Sequence, residues 1–304
     1  VIMEKIAIIG GKDGLGGLML AFQCASVVKG FRACVVISSN PEIYHALEYW
    51  FGDEYEMRNI PEWQTQNDKL LHDESIINEI KEWVGNKNSQ VYYVCPDLLY
   101  RNKYSFDYNK FNTNPLTIKS TRLLTHKLKQ ENIIALCLNT STYGYSYQLT
   151  QELILRLSEL KNYQIYVPEI NTWAGHKISL NIDKSKFPEN VIVDSNPDFV
   201  ESLKMVARSK VCICSDCGTS HLSFHLGQIR VLLDPWFGFS RSTLAHQVRW
   251  RENIEDSIPI NTPPDKIFQL INVLLETPQT QLLPKNIVLN NIECDWAREL
   301  LFKF

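Results

Sequence analysis

The sequence lacks a strong net charge and a long apolar run, and both absences exclude classes of function. Its 304 residues carry 31 Lys and Arg against 34 Asp and Glu, a formal net charge of −3. We therefore expect no general attraction to nucleic acid or to an anionic membrane. No apolar run approaches the roughly 18 residues of a membrane span, and the run at Lys5–Ile9 is too short for a signal-peptide core. These features favour a cytoplasmic protein.

Three familiar motifs are also absent. The glycine loop Gly10–Gly17 has neither the spacing of the dinucleotide fingerprint nor the Gly-Lys-Ser/Thr ending of a P-loop. No Asp-x-Asp pair occurs anywhere in the chain. The eight cysteines lie mostly inside apolar runs, such as those around Cys34 and Cys137. That setting is typical of reduced core thiols, so we expect no disulfides.

Short apolar runs alternate with helical patterns along most of the chain. This alternation favours parallel sheets covered by helices, and at roughly 150 residues a domain the length suggests two of them. We predict a first α/β domain over residues 1–125 and a second over residues 126–304, the halves meeting near residues 115–132. Predicted strands are Lys5–Ile9, Phe31–Ile37, Val91–Cys95, Ile133–Leu138, Tyr163–Val167, Val191–Val193, Val211–Cys214 and Val231–Leu233.

The intervening segments complete this pattern. Residues Tyr100–Pro115 are rich in Asn, Tyr and Lys and are predicted to form a long loop over a site. Proline-rich pieces at Pro259–Pro264 and Pro278–Pro284 are predicted connectors. Predicted helices are Leu18–Val28, Ile43–Phe51, Ile76–Val84, Leu149–Leu160, Phe199–Ala207, His221–Leu226, Lys266–Leu275 and Cys294–Phe302.

The most informative segment is Val211–Gly227, in which an apolar strand runs into an acidic turn and a glycine that opens an amphipathic helix. Free N–H groups at such a helix start are suited to binding a phosphate. Candidate residues are Asp216, Gly218, Thr219, Ser220 and His221. Helix capping by Asp216, Thr219 or Ser220 explains the same residues without a ligand. Cys212, Cys214 and Cys217 beside His221 and His225 also allow a metal or redox site, but a second ligand knuckle is missing.

The turn Asp216-Cys217-Gly218-Thr219-Ser220-His221-Leu222 resembles the nucleotide-sugar turn of the ADP-heptose:LPS heptosyltransferase family. The preceding helix pattern Phe199–Ser209 and the following Gly227–Leu233 extend this resemblance. It implies the GT-B fold, two Rossmann-like domains facing across a cleft with a C-terminal helix crossing back. Pattern alone also allows a periplasmic-binding-like or epimerase-like pair of domains.

The resemblance implies an inverting glycosyltransferase that uses a nucleoside diphosphate-sugar donor and an acceptor hydroxyl, on a glycan or another molecule. In such enzymes a carboxylate in the first loop deprotonates the acceptor, and Asp13 is the carboxylate in this loop. The family usually has glycine before this aspartate, but here Asp13 precedes Gly14, so the carboxylate is shifted along the loop. Capping of the next helix by Asp13 is the alternative role. Because Asp-x-Asp is absent, we expect a metal-independent reaction with no cofactor.

The resemblance also implies donor contacts from three further parts of the sequence. Thr140 and Ser141 stand where the family presents hydroxyls to the donor phosphates, and Glu169 stands near the nucleoside. Since the family's basic residue after the Thr/Ser loop is missing, charge is expected from Lys12, Arg241 or Arg249. A nucleotide-sugar epimerase or hydrolase, or a non-catalytic sugar-nucleotide or glycan-binding module, remains an alternative.

Overall fold

The computed structural model forms two compact units, one made of Val1–Arg122 and Arg241–Glu252 and the other of Leu123–Ser240 and Asn253–Phe304. The structure describes residues 5–10, 19, 21–22, 24–26, 28, 32–37, 41–60, 74–85, 89–94, 120–138, 147–169, 182–195, 198–215, 218–226, 228–234 and 257–276.

The first unit contains a parallel sheet with the strand order β3-β2-β1-β4. Its large buried side chains include Trp50, Phe51 and Phe22, and the rings of Phe22 and Phe51 stack with centroids 4.5 Å apart. The elements are β1 (Lys5–Gly10), β2 (Arg32–Ile37), α1 (Pro41–Phe51), β3 (Glu56–Asn59), α2 (Glu74–Val84) and β4 (Gln90–Val94). Helix α3 (Thr121–Lys127) contains the boundary between the units.

The second unit contains a six-stranded sheet, all parallel, with the order β7-β6-β5-β8-β9-β10. Its strands are β5 (Ile133–Cys137), β6 (Gln164–Pro168), β7 (Val191–Asp194), β8 (Val211–Ser215), β9 (Ile229–Asp234) and β10 (Ser257–Pro259). Its helices are α4 (Tyr147–Leu157), α5 (Phe199–Arg208), α6 (Gly218–His225) and α7 (Pro264–Glu276), with a short 3-10 helix at Lys184–Lys186.

Strands β5 and β8 lie at the centre of this sheet, and helices pack on both of its faces. Every residue of both strands is buried, as near-continuous apolar runs in a covered parallel sheet require. The α4 and α7 side chains pack in the core that includes Ile134 and Ile213. In a second, smaller hydrophobic cluster, Val206 of α5 packs with Cys212 and Cys214 of β8.

Helix α5 has a defined start and end. The Asp198 carboxylate accepts hydrogen bonds from the N–H groups of Val200 and Glu201 at 2.8 and 3.1 Å, which caps the helix. At the other end, the Gln228 side chain donates to the carbonyls of Val206, Ala207 and Ser209. These contacts fix the turn from which β8 begins.

The α/β class with parallel sheets is confirmed. Helix α6 begins at Gly218, the glycine expected to open it, three residues before the predicted range His221–Leu226. All of its side chains that the structure describes are buried, so the exposed face of an amphipathic helix is not seen among them. The predicted connector Pro259–Pro264 joins β10, which ends at Pro259, to α7, which begins at Pro264. The short strands β3 and β10 were not predicted. The Tyr100–Pro115 loop and the Cys294–Phe302 helix lie outside the described residues.

Candidate functional site

The strand order of the second sheet creates a topological switch point between β5 and β8. From β5 the chain proceeds through β6 and β7 to one side, and it returns to β8, β9 and β10 on the other. In open parallel sheets, ligands bind outside the carboxyl ends of the strands at such a point, because the loops there diverge. In the sequence, Thr140 and Ser141 follow β5, and Asp216 follows β8. These residues were candidates on sequence grounds.

A side-chain hydrogen bond ties the two strand ends together. The fully buried Ser215 hydroxyl, at the end of β8, donates to the carbonyl of Leu138 just after β5, over 3.0 Å. The strands are paired directly below it, with Cys137 beside Cys214. The bond holds the carboxyl ends of β5 and β8 side by side.

Helix α6 begins three residues beyond Ser215, close to this strand end. The first N–H groups of a helix have no partner within it, and the helix dipole places partial positive charge there. Thr219 and Ser220 are 3% and 2% exposed, so the first turn packs against the rest of the unit. In α/β proteins, a helix start at the carboxyl end of a strand is a common place for an anion to bind.

Arg230 anchors that first turn, and sequence reasoning missed it. It lies on β9 beside Cys212 and is 3% exposed, and its Nη1 donates to the Ser220 carbonyl over 3.0 Å. The sequence does contain a signal for this role, because Arg230 is a charged residue inside the apolar run Ile229–Leu233. Arginine is rarely buried without a partner, so its place in a buried strand indicates a hydrogen bond to a neighbouring element.

Glu169 follows β6 directly and has an unusual carboxyl group. The residue is 5% exposed, and its N–H donates to the Asp194 carbonyl over 2.8 Å, which extends the pairing of β6 with β7. Its Oε1 is buried and has no hydrogen-bond partner among the described residues. An unsatisfied buried polar atom costs about 1–3 kcal/mol of stability.

The neighbouring carboxyl group of Asp194 is engaged. The Tyr166 hydroxyl donates to Asp194 Oδ2 over 3.4 Å. Burial, the largest cause, raises the pKa of Tyr166 well above its ordinary value, so the phenol stays protonated and able to donate. Asp194 and Glu169 therefore differ, although both lie at the carboxyl ends of adjacent strands.

The described cysteines near the site are buried free thiols. Cys137, Cys212 and Cys214 are free thiols, and the two sulfur atoms of Cys212 and Cys214 lie 3.5 Å apart. Hydrogen bonds from Cys137 and then Cys214 hold the pKa of Cys212 well below its ordinary value. Among the described residues, no group of three or more His, Cys, Asp or Glu side chains could hold a metal ion.

The described parts of the structure bring Gly218, Thr219, Ser220 and Glu169 to the carboxyl edge of the second sheet. The backbone of His221 belongs to α6, and its side chain is outside the description. The remaining candidate residues lie outside the described residues and stay predictions: Lys12, Asp13, Thr140, Ser141, Asp216, Arg241 and Arg249.

Solved structures with related folds cover almost the whole chain. The glycosyl transferase family 9 protein of Veillonella parvula has a TM-score of 0.60 at 11% sequence identity, over 91% of this chain and 99% of that one. E. coli ADP-heptose LPS heptosyltransferase II has a TM-score of 0.57 at 12% sequence identity, over 89% of this chain and 98% of that one. The chain has the fold of these GT-B glycosyltransferases. The resemblance first seen at Asp216–Leu222 thus extends to the fold.

The same fold also occurs in a different class of enzyme. A putative UDP-N-acetylglucosamine 2-epimerase from Listeria monocytogenes has a TM-score of 0.52 at 11% identity, over 95% of this chain and 93% of that one. No protein-family model matches the sequence, and no curated protein matches it. No helix among the described residues is long and apolar enough to cross a membrane. The shared fold therefore does not determine the activity, which depends on the residues of the site.

Proposed function

We propose that the protein is an inverting, metal-independent glycosyltransferase. It takes a sugar from a nucleoside diphosphate-sugar and transfers it to a hydroxyl of a glycan or other acceptor. The donor binds to the second domain, predicted as residues 126–304. The acceptor binds to the first domain, predicted as residues 1–125.

One observation carries this proposal: the buried start of α6 lies beside the switch point between β5 and β8. Its backbone N–H groups favour a diphosphate through hydrogen bonds and the helix dipole. Arg230 supports this turn through the Ser220 carbonyl, which keeps the donors fixed as charge develops. Preorganised donors of this kind stabilise a departing anion without reorganisation.

The reaction is a single displacement. The acceptor oxygen attacks the anomeric carbon from the side opposite the diphosphate, and the bond from that carbon to the diphosphate oxygen breaks with its electron pair. Asp13 accepts the hydroxyl proton, which is general-base catalysis. The α6 N–H groups stabilise the leaving diphosphate. No Asp-x-Asp pair is present to hold a metal on the donor, so metal independence is part of the proposal.

The test measures nucleoside diphosphate release from a panel of donors in the presence of EDTA, with and without a pool of glycan acceptors. We expect release that depends on acceptor and a product of inverted anomeric configuration. Asp13→Asn should slow transfer about 10²- to 10⁴-fold. Asp265→Asn is the control, because this exposed carboxylate only pairs with Arg156 on the surface. A fully active Asp13→Asn variant would remove the base assignment.

A nucleotide-sugar epimerase or hydrolase is the second candidate, and the fold shared with the Listeria epimerase favours it. Such an enzyme converts the donor without an acceptor. Product analysis with donor alone therefore separates the two: a changed sugar or a free sugar indicates the second candidate. A sugar-nucleotide or glycan-binding module would bind its ligand tightly and give no product in either reaction.

A further inference from the structure

Arg230 places a buried positive charge beside the first turn of α6. It is the second residue of β9 and is 3% exposed. Val231 and Leu233 of the same strand belong to the core that contains α7, and side chains alternate between the two faces of a strand. Arg230 therefore points to the opposite face, where its Nη1 donates to the Ser220 carbonyl over 3.0 Å.

This hydrogen bond does not by itself require a charged donor. Gln228, two residues earlier, is 8% exposed and donates to the carbonyls of Val206 and Ala207 at the end of α5 with a neutral amide. Burying a guanidinium is more costly than burying an amide, because the charge loses its hydration. A neutral side chain would anchor the α6 turn at lower cost. The positive charge is thus the property of Arg230 that anchoring leaves unexplained.

The guanidinium lies close enough to the start of α6 to act on an anion bound there. Ser220 is the third residue of the helix, and each residue advances the helix by about 1.5 Å. Together with two hydrogen-bond lengths, this spacing places the charge within about 10 Å of an anion held by the first N–H groups. Two unit charges at this separation, with an effective dielectric constant of about 20, attract strongly enough to change a dissociation constant about 10-fold.

We infer that the buried charge of Arg230 strengthens binding of the donor diphosphate at the start of α6, so that the site prefers a diphosphate to a monophosphate. This inference rests on the proposed function, because it specifies the source of charge at the same site. The charge adds to the partial positive charge that the helix carries at its start. Arg230 is then a positioning residue whose effect on each ligand grows with the negative charge of that ligand.

The experiment measures dissociation constants for a nucleoside, its monophosphate and its diphosphate, with the base that the wild type prefers among A, G, C and U. Binding is read by competition against a fluorescent nucleoside diphosphate in EDTA. Arg230→Gln keeps an N–H donor and removes the charge, whereas Arg230→Lys keeps the charge. Arg156→Gln is the matched control, because Arg156 pairs with Glu159 and Asp265 on the surface of the same unit.

We expect Arg230→Gln to weaken binding of the diphosphate about 10-fold, to weaken the monophosphate less, and to change the nucleoside by less than about 2-fold. Arg230→Lys and Arg156→Gln should stay within about 3-fold of the wild type for all three ligands. An equal loss for the three ligands in Arg230→Gln would show a purely structural role and overturn the inference. Unchanged binding of the diphosphate in that variant would also overturn it.

The wild type separates this inference from the proposed function. If it binds no nucleoside diphosphate, the proposed function fails and the inference fails with it. If it binds the monophosphate and the diphosphate equally, the inference alone is overturned. Circular dichroism checks the fold of each variant. If Arg230→Gln does not fold, Arg230→Lys decides: the wild-type ratio of the two dissociation constants supports the inference when it is retained and overturns it when it is lost.

Discussion

Gln228 offers a sharp test of how the turn before β8 is stabilised. Its amide nitrogen lies 2.6 Å from the carbonyl oxygen of Val206, 3.1 Å from that of Ala207 and 3.1 Å from that of Ser209, and the residue is 8% exposed. An amide has only two N–H bonds. At about 1 kcal/mol for each net hydrogen bond, the two N–H groups contribute about 2 kcal/mol to the free energy of unfolding, and the buried Oε1, which has no partner among the described residues, offsets part of this.

Two substitutions of similar size separate hydrogen bonding from packing. Gln228→Met keeps the volume and removes both donors, so we expect a loss of about 1–3 kcal/mol. Gln228→Glu places a carboxylate oxygen against three carbonyl oxygens and should cost at least as much. Gln148→Met is the control, because the exposed Gln148 amide donates to Glu152 on the surface of α4; we expect a change within about 0.5 kcal/mol.

Urea unfolding followed by circular dichroism gives these differences, and amide hydrogen exchange of residues 209–215 reports on the turn itself. The α5 end and the β8 start should exchange faster in both Gln228 variants. The reasoning is refuted if Gln228→Met and Gln148→Met lose the same small free energy, or if Gln228→Glu is as stable as the wild type.

Three further predictions concern the second unit. Asp198→Ala removes the cap of α5 and should cost about 1 kcal/mol in urea unfolding; an unchanged midpoint would refute the capping role. Burial and then Arg208 lower the pKa of His126 in the folded state. The protein should therefore be most stable above the unfolded-state pKa near 6.5 and lose stability as the pH falls toward the folded-state pKa. This loss should shrink in His126→Gln, and an identical pH profile of the variant and the wild type would contradict it. Ile267→Ala leaves a cavity at a fully buried position and should cost about 2–5 kcal/mol of unfolding free energy. Leu128 is 79% exposed, so Leu128→Ala should change the unfolding free energy by less than about 0.5 kcal/mol. Equal effects of the two substitutions would contradict the assigned core.

The parts of the fold that could be predicted are those in which burial dominates the sequence. Strands β5 and β8 are buried on both faces, so each reads as a short continuous apolar run. The edge strand β3 reads Glu-Met-Arg-Asn, and only Met57 in it is buried. Its pairing with β2 comes from backbone hydrogen bonds, which leave no pattern in the side chains.

The site was predictable only in part, for a similar reason. The turn after β8 could be recognised because glycine and hydroxyl residues follow an apolar strand there. The burial of the first turn of α6 could not, since Thr219 and Ser220 are small polar residues that are usually exposed, and here they pack into the unit. The unsatisfied Oε1 of Glu169 depends on surrounding chain segments that no local pattern contains.

Binding of nucleoside diphosphates and their sugars in EDTA decides whether the second domain holds a donor site. Titration calorimetry would compare the wild type with His221→Ala, in the α6 turn, and with His45→Ala, an exposed histidine of the first unit. We expect selective binding of one nucleotide class that is weakened by His221→Ala and retained by His45→Ala. Failure of every nucleotide to bind the wild type would contradict the donor site and the glycosyltransferase proposal with it.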